Sequence, residues 1–97
     1  MAHLGFVWDE RKDAKNIKKH GVSFNMAQTV FYDDNARLIH DYEHSGNEER
    51  FILLGMSINL NIMVVVHCYK EDEEVIRIIS ARRATKNETI KYEEYLK

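Results

Sequence analysis

The stretch IMVVV at residues 62–66 decides the fold of this 97-residue chain. Five apolar residues in a row leave no polar face, which is typical of a central β-strand that is buried on both sides. The preceding stretch NLN at residues 59–61 has the composition of a tight connection. Residues 51–57 and 62–69 are therefore predicted to form an antiparallel hairpin.

The elements on either side of this hairpin have weaker patterns. A charged turn is predicted at residues 70–74, after which residues 75–81 return as the next antiparallel strand. Before the hairpin, residues 36–42 are predicted to form a short strand, and near the C-terminus residues 87–96 are predicted to form a helix. The second half of the chain is therefore interpreted as a sheet followed by one helix.

The N-terminal half begins with a short apolar strand, FVW at residues 6–8. Asp9 is a helix N-cap, lysines crowd the far end of the next segment and Gly21 follows them, which is the usual polarity of a helix. Ser23 caps a second helix, which ends at the turn residues 33–35. The element order β-α-α-β-β-β-β-α predicts an α+β fold, a small and mostly antiparallel sheet with the helices packed on one face.

Composition limits the class of protein. The length suits one domain over residues 1–97, and 44% hydrophobic with 31% charged residues is ordinary for a globular protein. No apolar run is long enough to span a bilayer and no signal peptide is recognisable, so no membrane association is expected. Cys68 is the single cysteine, which fits a reducing compartment, and a cytoplasmic location is expected.

The distribution of charge is more informative than its sum. The net charge of −2 comes from 14 lysines and arginines against 16 acids, so it does not indicate nucleic-acid binding. Residues 11–20 and 77–91 are basic, whereas residues 33–49 are acidic, and such a chain can fold into a body with one basic face. For any single cluster, a solvated surface is the simpler explanation.

The stretch IRIISARRAT at residues 76–85 places charge where a strand ends. Its three arginines lie within seven residues, and arginine binds phosphate through a planar fork of donors without losing its charge. A charge pattern that protects an edge strand from aggregation explains them equally well. By strict alternation, one row of the strand holds Ile76, Ile78 and Ser80, and the other holds Arg77, Ile79 and Ala81.

Other charged residues are candidates for chemistry. Glu49 is a candidate general base that would deprotonate an RNA 2′-hydroxyl, and Arg50 is a candidate for neutralising the phosphorane that forms next. An ion pair at the protein surface is the simpler explanation of these two residues. His67 is interpreted as sharing an open surface with Arg77 and protonating a leaving 5′-oxygen, although a half-buried structural histidine is more frequent. His20, at a helix end, either binds phosphate or stabilises the helix.

Signals for metal or cofactor binding are absent from the sequence. No histidine pair has the spacing of a zinc site, and there is no phosphate-binding glycine loop, serine elbow or dinucleotide fingerprint. No metal and no cofactor are therefore expected, and any phosphate chemistry would have to rely on arginines.

Three segments, taken in order, resemble the BrnT family of bacterial toxins. They are FVWDERKDAKNIKKHGVSFNMA at residues 6–27, HSGNEERFILLG at residues 44–55 and IRIISARRAT at residues 76–85. The family pattern is Trp-Asp, a basic helix ending Asn-x-x-Lys-His-Gly-Val-x-Phe, Glu-Arg before a strand, and Arg-x-Ile-Ser-Ala-Arg. One departure is Glu10, where the family often has proline; glutamate is harmless at a helix start.

The resemblance implies a RelE-like ribonuclease toxin of a type II toxin–antitoxin pair, which cleaves RNA without a metal and stops translation. It implies a BrnA-like antitoxin with a ribbon-helix-helix part as partner, and a complex that represses its own operon, so that DNA is contacted only through the antitoxin. A homodimer and a hetero-oligomer are both left open. Under this reading Arg50, Arg77 and Arg82 hold the scissile phosphate, Glu49 or His67 moves the protons, and Lys19, His20 and Arg83 bind RNA.

Two rival functions remain. The chain is alternatively a non-catalytic module that binds the antitoxin and acts as a corepressor, and its modest overall charge suits that function. A degenerate toxin that retains only antitoxin binding is a weaker third reading. In each case, charge complementarity predicts that the antitoxin covers the arginine face.

Overall fold

The computed structural model describes residues 5–70 and 74–96. Its order of elements agrees with the predicted one; of the charged turn predicted at residues 70–74, residues 71–73 lie outside the described ranges. Short 3-10 turns occupy Gln28–Tyr32 and Tyr42–His44. The elements are β1 (Gly5–Val7), α1 (Glu10–His20), α2 (Phe24–Ala27), β2 (Arg37–His40), β3 (Phe51–Met56), β4 (Ile62–Lys70), β5 (Val75–Arg83) and α3 (Lys86–Glu94).

The caps confirm both predicted ends of the first helix and the predicted start of the second. The Asp9 carboxylate accepts a hydrogen bond from the backbone N–H of Arg11 at 2.8 Å, which begins α1. Gly21 ends α1 in the left-handed conformation, with φ of 71°, and its N–H donates to the carbonyl of Ile17. Ser23 caps α2, but the α-helix stops at Ala27 and continues as the first 3-10 turn, so the second helix is shorter than predicted.

The predicted sheet is present, but it is mixed. Its strand order is β1-β5-β4-β3-β2. The three pairings among β2, β3, β4 and β5 are antiparallel, including the predicted hairpin, whereas β1 pairs with β5 in parallel. Strand β4 therefore lies at the centre of the sheet, as its continuous apolar sequence predicts.

Helices α1 and α2 pack on one side of the sheet, called here the α1 face, which carries Leu53, Val65 and Ala81. The Asn16 side chain ties α1 to the backbone of β5, because its amide donates to the carbonyl of Ala81 at 2.8 Å and accepts from the Ala81 N–H at 3.1 Å. The main core fills the space between. It contains Val22, Phe24, Ala27, Val30, Leu53, Met63, Val65, Ile76, Ile78 and Ala81.

The prediction that all helices pack on one face is wrong. Leu54 and Val64 are opposite partners in the β3–β4 ladder and point away from the α1 face, and buried Tyr92 of α3 packs against both. The reason is that β4 is apolar on both faces, so its second face also needs a cover. We call this side of the sheet the α3 face.

A β-bulge interrupts the pairing of β4 with β5. Val66 pairs with Ser80 and His67 pairs with Ile78, which leaves Ile79 as an extra residue. Alternation along β5 therefore changes phase, and the strand rows expected from strict alternation are wrong beyond Ile79. As a result Arg77, which pairs with Cys68, and Arg82, which pairs with Val64, are both on the α3 face.

Candidate functional site

A groove of about 330 Å³ opens on the α3 face of the sheet. Its apolar floor consists of side chains from β3, β4 and β5, and polar groups stand around that floor. Two of these groups, Arg50 and Arg82, were predicted from the sequence as phosphate ligands. The lining residues are Asp41, His44, Arg50, Ile52, Val64, Val66, Ile79, Ser80 and Arg82.

The connection between β2 and β3, residues 41–50, supplies three of the five polar residues that line the groove, Asp41, His44 and Arg50. The backbone N–H of Asp41 donates to the carbonyl of Arg50 at 2.9 Å, so the two ends of the connection are joined. The Ser45 hydroxyl donates to the carbonyl of Asp41 at 2.6 Å and accepts from the N–H of Arg50 at 3.2 Å. These bonds use only the backbone of Arg50, which leaves its guanidinium to line the groove.

Asp41 and His44 form a carboxylate–imidazole pair at the groove. His44 Nδ1 lies 3.1 Å from each carboxylate oxygen of Asp41. The Asp41 side chain is largely buried, with 11% exposed, whereas that of His44 is 65% exposed. The buried carboxylate therefore holds a solvent-accessible imidazole in place at the groove.

Arg82 is tied to the first turn of α3. Its two terminal nitrogens donate to the two oxygens of Glu88 at 2.8 and 2.9 Å. Glu88 also accepts from the N–H of Thr85, and Thr85 accepts from the N–H of Glu88, which is a complete capping box. The bond from Arg82 lowers the pKa of Glu88 to about 2, so this carboxylate stays charged near neutral pH.

Arg77 is on the same face of the sheet and is paired with a carboxylate as well. Its guanidinium donates to Glu48, and its buried Nε has no hydrogen-bond partner among the described residues. Beneath this pair, burial raises the pKa of the Cys68 thiol. Arg77 does not line the groove, so the three predicted phosphate ligands share a face of the sheet but not a single cavity.

The predicted RNA-binding residues lie elsewhere. Lys19 and His20 end α1, which packs on the α1 face. Arg83 pairs with Met63 on that same face and lines a separate cavity of about 230 Å³ beside Gly21. The structure thus brings Arg83 close to the end of α1, but places the sheet between this group and the groove.

The prediction that His67 shares an open surface with Arg77 is wrong. His67 is 0% exposed and lies on the α1 face, since Arg77 pairs with Cys68, its neighbour in β4. Its ring packs edge-on against Phe31 at 4.7 Å, and its Nδ1 lies 3.2 Å from the carbonyl of Val65. Burial lowers the pKa of His67 to about 4, so the ring is neutral at physiological pH.

Glu49 is separate from the groove as well. Its side chain is 77% exposed and is 3.9 Å from His40 Nε2, which belongs to a residue that pairs with Phe51 on the α1 face. The sequence therefore placed the acid–base chemistry on two residues that the structure keeps out of the groove.

A cavity larger than the groove is a weaker candidate site. A cavity of about 670 Å³ lies beside the β3–β4 turn, but its lining is mainly apolar and, among the described residues, includes no arginine or lysine. A site for a charged backbone needs fixed positive charge, which the groove on the α3 face combines with an imidazole.

Comparison with known proteins agrees with the motifs. Residues 8–88 match the model of a family described as the ribonuclease toxin BrnT of type II toxin–antitoxin systems. The chain belongs to the BrnT family. A solved BrnT structure, the ribonuclease toxin of Brucella abortus, is similar over 86% of this chain and 99% of that one, with 25% identity and a TM-score of 0.66. No curated protein matches the chain.

Membership of the BrnT family implies a cognate protein antitoxin as partner. No helix within residues 5–70 and 74–96 is long and apolar enough to cross a membrane. In the same ranges, no three histidine, cysteine, aspartate or glutamate side chains cluster in a way that could hold a metal ion.

Four residues of the site were missed in the sequence. Asp41 falls in the strand predicted at residues 36–42 and His44 in a segment with turn composition, and neither pattern indicates what the side chain faces. Glu48 pairs with Arg77 across 29 positions of sequence, a contact that no local pattern reveals. Only Glu88 had a readable signal, because threonine followed three residues later by glutamate is the signature of a capping box.

Proposed function

We propose that residues 1–97 act as one RNA-cleaving domain, the toxin of a type II toxin–antitoxin pair, and that cleavage takes place in the groove on the α3 face. The observation that carries the proposal is that Arg50 and Arg82 both line this groove, above a floor of apolar side chains. Arginine keeps its charge at any physiological pH, and its donors match the oxygens of a phosphodiester. Partial burial strengthens their action on charge that develops during cleavage.

Arg50 and Arg82 have different roles in this proposal. Arg50 has no ion pair among the described contacts, so its guanidinium is available to contact the scissile phosphate. Arg82 is already oriented by Glu88 and supplies positive charge in a defined position. Arg77, which is paired with Glu48 and lies outside the groove, is assigned to holding the connection at residues 41–50 against the sheet.

Membership of the BrnT family supports a proposal for the cellular setting. We propose that the toxin is RelE-like in action, cleaving RNA without a metal ion in the cytoplasm and thereby stopping translation. A BrnA-like antitoxin with a ribbon-helix-helix part neutralises it, and the complex represses its own operon. Arginines and an imidazole supply charge stabilisation and proton transfer, which are the functions that a metal serves in other nucleases.

The test is cleavage of a defined RNA by the purified chain in the presence of EDTA, followed on a denaturing gel. We expect cleavage, with about 10²- to 10³-fold loss in Arg50→Gln, as is usual when one donor to a transition-state oxyanion is removed. Arg82→Lys keeps the positive charge but loses the two-pronged hydrogen-bonding geometry of the guanidinium group. We therefore expect this variant to cleave RNA more slowly as well.

The matched control is Arg83→Gln, since Arg83 adjoins Arg82 but lies on the opposite face of the sheet. It should cleave at close to the unmodified rate. Equal losses in Arg83→Gln and Arg50→Gln, with all variants folded by circular dichroism, would contradict the groove as the site. Cleavage that stops in EDTA and returns with added magnesium would contradict metal independence alone.

A non-catalytic antitoxin-binding module remains the second candidate, because one observation favours it. Arg77 and Arg82 are both paired with carboxylates of the same chain, which reduces the charge they can offer to RNA. This function predicts a folded chain that binds its antitoxin but leaves every RNA intact and does not arrest growth when expressed alone. Cleavage by the unmodified chain would eliminate it.

A further inference from the structure

We infer that His44 is the general base of the groove, and that Asp41 is the residue that positions it. This inference rests on the proposed function, which it deepens by naming the group that starts the reaction. It replaces the two proton-transfer candidates suggested by the sequence, Glu49 and His67, neither of which reaches the groove.

The geometry of the pair fixes which nitrogen is available. A carboxylate only accepts hydrogen bonds, so His44 Nδ1, at 3.1 Å from both oxygens of Asp41, carries the proton in the neutral ring. The other nitrogen, Nε2, then has a free lone pair. Because His44 lines the groove, this lone pair is available to a substrate held by the arginines.

Asp41 is itself held in place. Its backbone N–H and carbonyl bond to Arg50 and Ser45, and its side chain is 11% exposed. The positioning residue and the predicted phosphate ligand Arg50 therefore occupy the two joined ends of one connection, so that the distance between base and phosphate site is set by backbone hydrogen bonds rather than by mobile side chains.

Two other acids that the structure describes on the α3 face are already engaged. Glu48 is bound to Arg77 and Glu88 to Arg82, so neither is available as a base without breaking an ion pair. The charged groups that line the groove with His44 are Asp41, Arg50 and Arg82, one carboxylate and two guanidinium groups.

The proposed reaction is cleavage of the RNA strand by its own 2′-hydroxyl. His44 Nε2 removes the proton of an RNA 2′-hydroxyl, the 2′-oxygen forms a bond to phosphorus, and the bond from phosphorus to the 5′-oxygen breaks. The leaving 5′-oxygen takes a proton from water or from the imidazolium that has just formed. The products are a 2′,3′-cyclic phosphate and a 5′-hydroxyl, and no oxidant, reductant or cofactor is consumed.

The experiment compares His44→Ala, His44→Gln and Asp41→Asn with Glu43→Gln, a matched change of an exposed neighbour in the same turn. Single-turnover cleavage is followed between pH 5 and pH 9, and binding is measured with a non-cleavable 2′-O-methyl RNA. For both His44 variants we expect about 10²- to 10⁴-fold slower cleavage with unchanged binding, the usual contribution of a general base. Glu43→Gln should cleave normally.

Two readouts distinguish catalysis from structure. Added imidazole should restore part of the cleavage by His44→Ala, which a misfolded chain cannot show. Asp41→Asn should reduce cleavage less than His44→Ala and shift the acid limb of the pH profile, because the neutral amide no longer favours the charged imidazole. Mass spectrometry of the products should find the cyclic phosphate.

The outcomes separate the inference from the proposed function. Loss of cleavage in Arg50→Gln together with an unmodified rate in both His44 variants would overturn the inference and leave the function standing. Linear 3′-hydroxyl and 5′-phosphate products would also overturn it, since attack by a 2′-oxygen cannot form them. If the unmodified chain cleaves no RNA, the proposed function and the inference fall together.

Discussion

Arg82 and Glu88 form a two-pronged ion pair, with nitrogen–oxygen distances of 2.8 and 2.9 Å, that joins the end of β5 to the first turn of α3. The same glutamate completes the capping box of that helix. One carboxylate therefore stabilises the start of α3 and orients an arginine of the candidate site. A change at Glu88 should affect stability and RNA cleavage together, although Glu88 does not line the groove.

Replacing Glu88 with glutamine should destabilise the chain by roughly 1 kcal/mol, a typical value for a lost helix cap, and should also slow cleavage. The pKa of Glu88 lies below its ordinary value, so its contribution is complete above about pH 4.5 and is lost as pH falls towards about 2. Urea unfolding between pH 7 and pH 2.5 measures this contribution, which should shrink towards the acid end.

Glu94→Gln is the control, because Glu94 is exposed at the far end of the same helix. It should leave both stability and cleavage close to those of the unmodified chain. Full cleavage by Glu88→Gln would mean that Arg82 does not depend on this pair for its position.

His67 should make the chain sensitive to mild acid. The pKa of His67 is about 4 in the folded state, against an ordinary value of 6.5. Between these two pH values, His67 is therefore protonated in the unfolded chain but neutral in the folded chain. Titration of His67 therefore does not change the free energy of unfolding above pH 6.5. The free energy of unfolding falls as pH decreases below 6.5, and the loss levels off near pH 4. Between pH 7 and pH 5 the expected loss is about 2 kcal/mol.

The measurement for His67 is urea unfolding of His67→Leu and the unmodified chain at pH 7 and pH 5. Leucine does not titrate, so the variant should lose less stability over this interval, whatever its stability at pH 7. Identical pH dependence in the two proteins would contradict the buried, neutral state of His67.

Position 55 requires glycine, because neighbouring atoms leave no room for a Cβ there. A Cβ added there would be 2.8 Å from Ala36 Cβ and 2.8 Å from Val30 Cγ1, so Gly55→Ala overpacks the core. We expect destabilisation by roughly 1–3 kcal/mol, measured by thermal or urea unfolding. Gly5→Ala is the control, since its nearest neighbours would be at 3.8 and 3.9 Å, an ordinary contact distance; equal losses in the two variants would contradict the packing explanation.

Local chemistry made much of the fold predictable. Asp9, Ser23 and Gly21 act within a few residues of their position, and each caps the helix that its neighbours predict. The β3–β4 hairpin was predictable for the same reason, because a short connection joins two apolar runs. The face on which α3 packs was not predictable, since an amphipathic helix can cover either side of a sheet whose central strand is apolar on both.

The candidate site was only partly predictable. Arg50 and Arg82 follow from the motifs, and both line the groove. Asp41 and His44 were missed because neither a strand pattern nor a polar turn indicates whether a side chain faces water or a groove. Lys19 and Arg83 were grouped with the site because the chain is basic there, but charge in a sequence does not reveal the side of the sheet on which it lies.

By itself, the sequence determined the family, the element types and the presence of arginines at the end of β5. It did not determine which of those arginines share a face of the sheet, because strict alternation places Arg77 with Arg83 rather than with Arg82. The bulge at Ile79 reverses that assignment, since one unpaired residue changes the phase of every side chain beyond it. Only the pairing with β4 creates the bulge, and so the tertiary structure decided that Arg82 lines the groove.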